Sequence, residues 1–344
     1  MQTVINIVVT ILVFSLLILS HEAGHFFTAI WAKIKVHEFS IGMGPALYKH
    51  QFKKCLFCIR AFPIGGFVQM EGEDGDSDDE NAFSKKPRWK RFLVLVMGAA
   101  MNILMGFLLI CCINATMEKF PTTTIGDFQE NAYSAAASGL QAGDEILSID
   151  DYRIFSYYDF SYALSRDSKA EDFDITVNRD GKTVELKNVK FPKVELENGM
   201  SGHVVDFRVY GEERNVWSVL KYSTGFTISI SRSIYSFIGS LFTMDADLSQ
   251  VSGPVGTASA IGESATMGLD SLLMVVALIS INLGIMNLLP FPALDGGRIL
   301  LLLIEAIRRK PLNPKVEVIL NGVGLIILMA LMLIVTLKDV IGLF

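Results

Sequence analysis

Four long apolar runs dominate this chain, and they exclude an ordinary soluble globule. Residues 4–20 are almost wholly apolar and the helical pattern continues to Trp31; residues 92–115, 272–289 with their flanks, and 318–337 are the other three. Each reaches the roughly 20 residues that an α-helix needs to cross a bilayer core. Of the 344 residues 51% are hydrophobic and the mean hydropathy is +0.42. The excess sits in the four runs rather than at core-like spacing, so the chain reads as a polytopic α-helical membrane protein. No Lys or Arg precedes the first run and no small-residue cleavage site ends it, so it reads as an anchor that is kept.

Orientation follows from the basic residues, which favour the cytoplasmic side. Lys33, Lys35, Lys49, Lys53, Lys54, Arg60, Lys85, Lys86, Arg88, Lys90 and Arg91 fall between the first two runs, and Arg308, Arg309, Lys310 and Lys315 before the last. The N-terminus, the polar stretch 117–250 and the C-terminus are then expected outside, in the cell (inner or plasma) membrane. Residues 216–242 carry Trp217, Phe226, Ile230 and Phe237, but Arg232 and seven serines interrupt them. An Arg at mid-span is costly, so 214–243 reads as an amphipathic helix on the outer interface. Domain bounds on this reading are 1–32, 92–115, 270–297 and 318–337 for the transmembrane helices.

Between these, 36–70 alternates in places and holds Gly42, Gly44, Pro45, Gly65 and Gly66, which suits short strands and tight turns. Segment 71–91 is acidic and then basic; its carboxylates lack EF-hand spacing, so a disordered, solvated loop is expected. Cys55 and Cys58 form one C-x-x-C with no second pair, which suits local packing better than a metal. In the outer stretch, a strand over 144–149, a short helix over 160–164, and a hairpin of 173–178 with 183–186 closed by Asp180-Gly181 are predicted. A net charge of −6 gives no reason to expect a nucleic-acid partner.

The chemistry lies in His21-Glu22-Ala23-Gly24-His25. Helical residues four apart share a face, so both imidazoles can bind one metal while Glu22 reaches its water. Three ionisable groups inside a span are expensive and call for a function. Catalytic zinc usually takes three protein ligands and keeps one position open. His37, His50 and His203 fall outside the runs, whereas Asp295 lies in the broken segment Asn287-Leu288-Leu289-Pro290-Phe291-Pro292-Ala293-Leu294-Asp295-Gly296-Gly297. Such backbone is tolerated at membrane depth only inside protein or against a water-filled cavity. Counted from the flanking basic residues, Asp295 and the histidines lie at overlapping depths of roughly 12–20 Å if helical. Asp295 could instead cap a helix. Asn287 could cap broken backbone or hold a substrate strand. Glu305, nearer the edge, reads as interfacial. A metal transporter or a membrane scaffold is the competing function, but three ligands, an open position and an adjacent carboxylate favour hydrolysis.

With these motifs the sequence resembles the bacterial site-2 proteases, most closely the regulator-of-sigma-E type. The likeness takes in His21–His25, the Asn287–Gly297 segment, residues 83–91 and Ser252-Gly253-Pro254-Val255-Gly256, and covers nearly the whole chain. It implies an intramembrane zinc metalloprotease with one Zn²⁺ per chain, His21, His25 and Asp295 as ligands and Glu22 as base. Asn287, Pro290 and Pro292 would engage substrate, and 36–70 would form a membrane-associated β-structure beside the site. Gly139-Leu140-Gln141-Ala142-Gly143-Asp144-Glu145-Ile146-Leu147 matches the signature of a PDZ domain, which implies one extracytoplasmic PDZ-like α+β domain over 120–200. In the family that domain excludes bulky, uncut substrates. Implied partners are single-span membrane proteins such as trimmed anti-sigma factors or signal-peptide remnants, besides the lipid bilayer. Ala99 stands where relatives usually have proline, and only one PDZ unit fits where some relatives carry two.

Overall fold

The computed structural model describes residues 2–341 apart from 53–54, 74, 76, 131, 137–138, 167–169, 196–200, 244–250, 311 and 313. Lys53 and Lys54 of the charge reading, and Asp74 and Asp76 of the acidic segment, therefore lie outside the described residues. In chain order the elements begin with α1 (Gln2–Trp31), β1 (Val36–Gln51), β2 (Leu56–Met70) and α2 (Arg88–Asn114). Then come β3 (Lys119–Phe128), α3 (Tyr133–Ala136), β4 (Glu145–Ile149), β5 (Tyr152–Arg153), α4 (Tyr158–Ser165), β6 (Phe173–Arg179) and β7 (Lys182–Val189). The short strands β8 (Lys193–Glu195) and β9 (Ser201–His203), then β10 (Phe207–Glu213) and α5 (Val216–Thr243), follow. The chain closes with α6 (Pro254–Met267), α7 (Leu269–Asn287), α8 (Asp295–Arg308) and α9 (Pro314–Ile341). Two compact units result: Met1–Ile110 with Gly239–Phe344, and Cys111–Ile238.

Among the described residues four helices are long and apolar enough to cross a membrane: α1, α2, α7 and α9. They match the four runs of the sequence. α5 is not among them. The third run behaves differently from one broken span, because its helix stops at Asn287 and a separate amphipathic helix, α8, starts at Asp295. α6 is an element beyond those expected; it begins on Pro254, a residue suited to a first helical turn, and is set off from α7 by Gly268 at φ +128°.

Small residues set how closely the first unit's helices approach. A Cβ on Gly24 of α1 would overlap the Met97 carbonyl of α2, and one on Gly284 of α7 would meet the Ala99 carbonyl at 2.8 Å. Ser280 of α7 adds a buried hydrogen bond from its hydroxyl to the Asn102 carbonyl, at 2.7 Å. Without a hydrophobic drive between helices in lipid, such close backbone approach is what holds them together. β1 and β2 pair antiparallel, and Glu38, Phe39, Ser40 and Ile41 each face two partners, one from each half of β2. Ala29, Val36, Phe39, Val68, Met70, Val94 and Leu302 share one apolar core, which ties this sheet to α1, α2 and α8. Cys55 belongs to that core, and Cys58 is fully buried with a free thiol.

The described part of the acidic loop is held, not loose. Asp79 pairs with Lys35 at 2.8 Å, Glu71 with His37 at 2.5 Å, and Glu73 with Arg298. A hydrogen bond from Ser77 and the His37 ring keep the Glu71 carboxyl below its ordinary range. The expectation of a disordered segment fails here because these pairs supply fixed partners that composition does not reveal.

In the second unit, the main sheet has the order β10-β3-β4-β6-β7, with β5 beside β4. The β6–β7 hairpin turns through Asp180 at φ +51° and Gly181 at φ +79°, both left-handed, as a two-residue turn of this type requires. Ile125, Ile146, Phe160, Phe173, Ile175 and Phe207 lie in one core. His203 is buried there, its ring 5.0 Å from that of Phe173. β10 extends the sheet past residue 200. α5 covers the unit: the Phe226 ring lies tilted against that of Tyr158, centroids 4.2 Å apart, and Ser229 bonds Ser156 at 2.7 Å. Arg232 sits over Tyr152 at 4.3 Å and donates to the Arg153 carbonyl at 2.8 Å, so its charge is well used.

Candidate active site

α1 presents His21 and His25 on one face, a turn apart, with Gly24 between them against α2. On α2 the residue opposite is Gly98, where a Cβ would overlap His25 Nε2 and stand 2.8 Å from His21 Cε1. Only glycine leaves room for both rings. The His25 ring donates from Nδ1 to the Val94 carbonyl at 2.9 Å, which turns the Nε2 lone pair inward.

α8 brings the third group. Asp295 is its first helical residue, Leu294 is the N-cap, and no side-chain cap bond is made there. The capping alternative is therefore not what this carboxylate does. Its Oδ2 lies 3.2 Å from His21 Nε2 and 3.3 Å from His25 Nε2, and the two Nε2 atoms are 3.1 Å apart. This oxygen is buried without a hydrogen-bond partner among the described residues. Three potential ligand atoms converge, an arrangement that a metal cation can occupy. A tetrahedral zinc with bonds of about 2.0–2.1 Å has ligand-to-ligand edges of roughly 3.3–3.4 Å, so the triangle fits that ion. Among the described residues these three form the one group of His, Cys, Asp or Glu side chains close enough to hold a metal.

Glu22 points elsewhere. It accepts a hydrogen bond from the Val68 main chain of β2, and a Cβ on Gly66 would stand 3.4 Å from its Cγ. The sheet thus approaches the HExxH helix through a glycine. A cavity of about 670 Å³ opens along this stretch, lined by Glu38, Arg60, Val68, Met70, Glu73 and Arg298 among others.

The segment between α7 and α8 is built tightly. A Cβ on Gly296 would overlap the Leu289 carbonyl, and one on Gly297 the Phe291 carbonyl, so the start of α8 packs on its own approach. Ala293 sits at φ +74°, and its N–H donates to Asn321 Oδ1 of α9 at 3.2 Å. Gly324 of α9 lets Pro292 come within 2.5 Å of where a Cβ would be. Asn287 ends α7, half-buried, and its amide makes no hydrogen bond among the described residues; Pro290 is exposed and Pro292 half-buried. Glu305 is a buried partner of Arg91 at 2.9 Å, and it accepts the Leu312 N–H. Gly98 and Asn321 were not legible as site residues, and Gly66 only as a turn residue; a glycine in an apolar run was the available signal for Gly98.

This combination of membrane helices and a His–His–Asp cluster has relatives. The model of peptidase family M50 matches residues 9–331. A protein of Clostridium acetobutylicum, provisionally named a zinc metalloprotease, is 35% identical over 339 residues, covering 98% of this chain and 97% of its own. A Fusobacterium nucleatum protein with the same provisional name is 34% identical, with 98% of each chain covered. The regulator of sigma-W protease of Bacillus subtilis is 29% identical over 423 residues, covering 98% of this chain and 99% of its own. With a family match that runs through every membrane-length helix, the chain belongs to peptidase family M50 and is a multi-pass membrane zinc metalloprotease.

Proposed function

We propose that His21, His25 and Asp295 hold one zinc ion, that Glu22 is the catalytic base, and that the substrates are single-span membrane proteins cut in or near their transmembrane segments. The observation that carries this is the triangle of Nε2, Nε2 and Oδ2 at 3.1–3.3 Å on two helices, one of them of membrane length. When bound, zinc polarises the scissile carbonyl and lowers the pKa of the attacking water toward about 7. Glu22, next to a ligand on the same helix, takes the water's proton and passes it to the leaving amine. Asn287, with its uncommitted amide, and the Pro290–Pro292 stretch face an incoming chain. The edge of β2 around Val68, beside the cavity, can pair with a substrate that has left its helical form.

The finer features of this reading have their own support. The Lys and Arg distribution argues for a cytoplasmic-side active site, with the Cys111–Ile238 unit outside. The sheet with α4, and the Gly139–Leu147 signature that leads into β4, support a PDZ-like identity for that unit. Trp217, Leu220, Ile228 and Tyr235 lie exposed on α5, away from buried Phe226, which suits a helix seated at the membrane interface. The sheet of 36–70 is the membrane-associated β-structure on this reading. The Bacillus relative is named for sigma-W regulation, which supports trimmed anti-sigma factors as substrates, with signal-peptide remnants as the other class.

The test uses purified, reconstituted enzyme with a single-span substrate. A chelator should stop cleavage and added zinc should restore it. Asp295→Ala should lose both zinc and activity, because a ligand is gone. Full metal and full activity in that variant would place the third ligand elsewhere.

A further inference from the structure

His21 Nδ1 and both amide atoms of Asn102 are among the buried polar atoms of the first unit that have no partner among the described residues. Asn102 is 0% exposed, in the middle of the membrane-length helix α2. An unpaired carboxamide in such a place is expensive and calls for a partner. Helix packing does not supply one, since Ser280 bonds the Asn102 carbonyl of the main chain and leaves the side chain free.

His21 and Asn102 are neighbours. Asn102 follows Gly98 by four residues, so the two share a face of α2. A Cβ on Gly98 would stand 2.8 Å from His21 Cε1, the ring carbon bonded to Nδ1. Helical side chains tilt toward the helix N-terminus and cover the preceding turn. Here that turn is Gly98, which has no side chain to fill the space. On α1, Ser20 donates to the Met101 carbonyl at 3.4 Å, which brings the chain just before His21 level with Asn102.

The two histidines also differ in their outer bonds. His25 donates its Nδ1–H to Val94, whereas His21 has no such acceptor among its fixed neighbours. A metal-binding imidazole almost always gives its second N–H to an oxygen, which fixes the tautomer and the ring's aim. We propose that Asn102 is the positioning residue of His21: its Oδ1 accepts the His21 Nδ1–H, by a turn of the amide or across one water, and so holds Nε2 toward Asp295. This rests on the zinc-site reading above.

The experiment compares wild type, Asn102→Leu and Asn102→Asp as full-length reconstituted protein. Zinc affinity is read by competition with a graded chelator, and thermal stability is read on the metal-free forms. Asn102→Leu should weaken zinc binding about 10–100-fold, the usual cost of losing such an outer partner. Asn102→Asp keeps an acceptor and should recover most of it. The metal-free Leu variant should melt no lower than metal-free wild type, because an unpaired buried amide has become hydrocarbon of similar size. A folded Leu variant with unchanged zinc affinity overturns the proposal. So does a metal-free Leu variant that is destabilised or unfolded, since Asn102 would then be a packing residue. His21→Ala serves as the reference: if it retains zinc, the site itself is wrong, a result distinct from either of these.

Discussion

Glu22 is the one ionisable residue of the HExxH turn that lies outside the triangle of donor atoms. Its neighbours are the Val68 main chain and Gly66 of β2. Glu22→Gln keeps the shape and the hydrogen-bonding capacity but cannot take a proton. Zinc content should stay at the wild-type level while turnover falls about 10²–10⁴-fold, the range that general acid–base catalysis supplies. Both quantities are measured on one preparation. Near-normal turnover would remove Glu22 from the mechanism, and loss of zinc would make it a ligand. The pair His21 and His25 was legible from spacing alone, because four residues on a helix return to one face. Which second oxygen serves each ring was not legible, because Val94 and Asn102 belong to another helix.

At the scale of elements, the site depends on how near α2 comes to α1. Gly24 and Gly98 are the two positions where a methyl group would collide, the first with main chain and the second with the imidazoles. Gly98→Ala should therefore push the His25 ring from its place. Overpacking of this kind typically costs about 1–3 kcal/mol. The expected outcome is reduced zinc occupancy and a lowered thermal midpoint, read by metal analysis and melting of the same reconstituted sample. A variant with full zinc would mean that the helices can part without harm. The break between α7 and α8 was readable from its prolines and glycines. What it leans on was not: Asn321 and Gly324 of α9 support Ala293 and Pro292, and nothing in their own run marks them as partners.

For the whole molecule, the second unit carries none of the proposed zinc ligands, and its ends meet. Glu213 pairs with Lys119, and the Arg214 N–H donates to the Glu118 carbonyl at 3.2 Å. Excision of residues 119–213 with a short linker is thus cleaner than a cut at 200, which would leave β10 without its neighbour β3. Read as an external filter, the unit screens substrates and supplies no catalytic group. The excised enzyme should keep its zinc and cut a truncated single-span substrate at a rate near wild type. It should also begin to cut the full-length form that wild type spares. A zinc-loaded, inserted protein that cuts neither substrate would show that the unit helps to form the active state.

The sequence by itself determined the four membrane-length helices, the HExxH face and the break that carries Asp295, because each follows from local physics. Apolar length sets a span, helical periodicity sets a face, and proline with glycine ends a helix. The hairpin turn at Asp180-Gly181 was local in the same way. Tertiary structure alone decided that Oδ2 of Asp295 meets both imidazoles within 3.3 Å across more than 250 residues of chain. It also decided that Gly98 makes room for them, that the acidic loop is pinned by Lys35, His37 and Arg298, and that Arg232 is satisfied over Tyr152. Such contacts depend on packing between distant segments, where many pairings satisfy the same composition and only close steric and hydrogen-bond fit selects one.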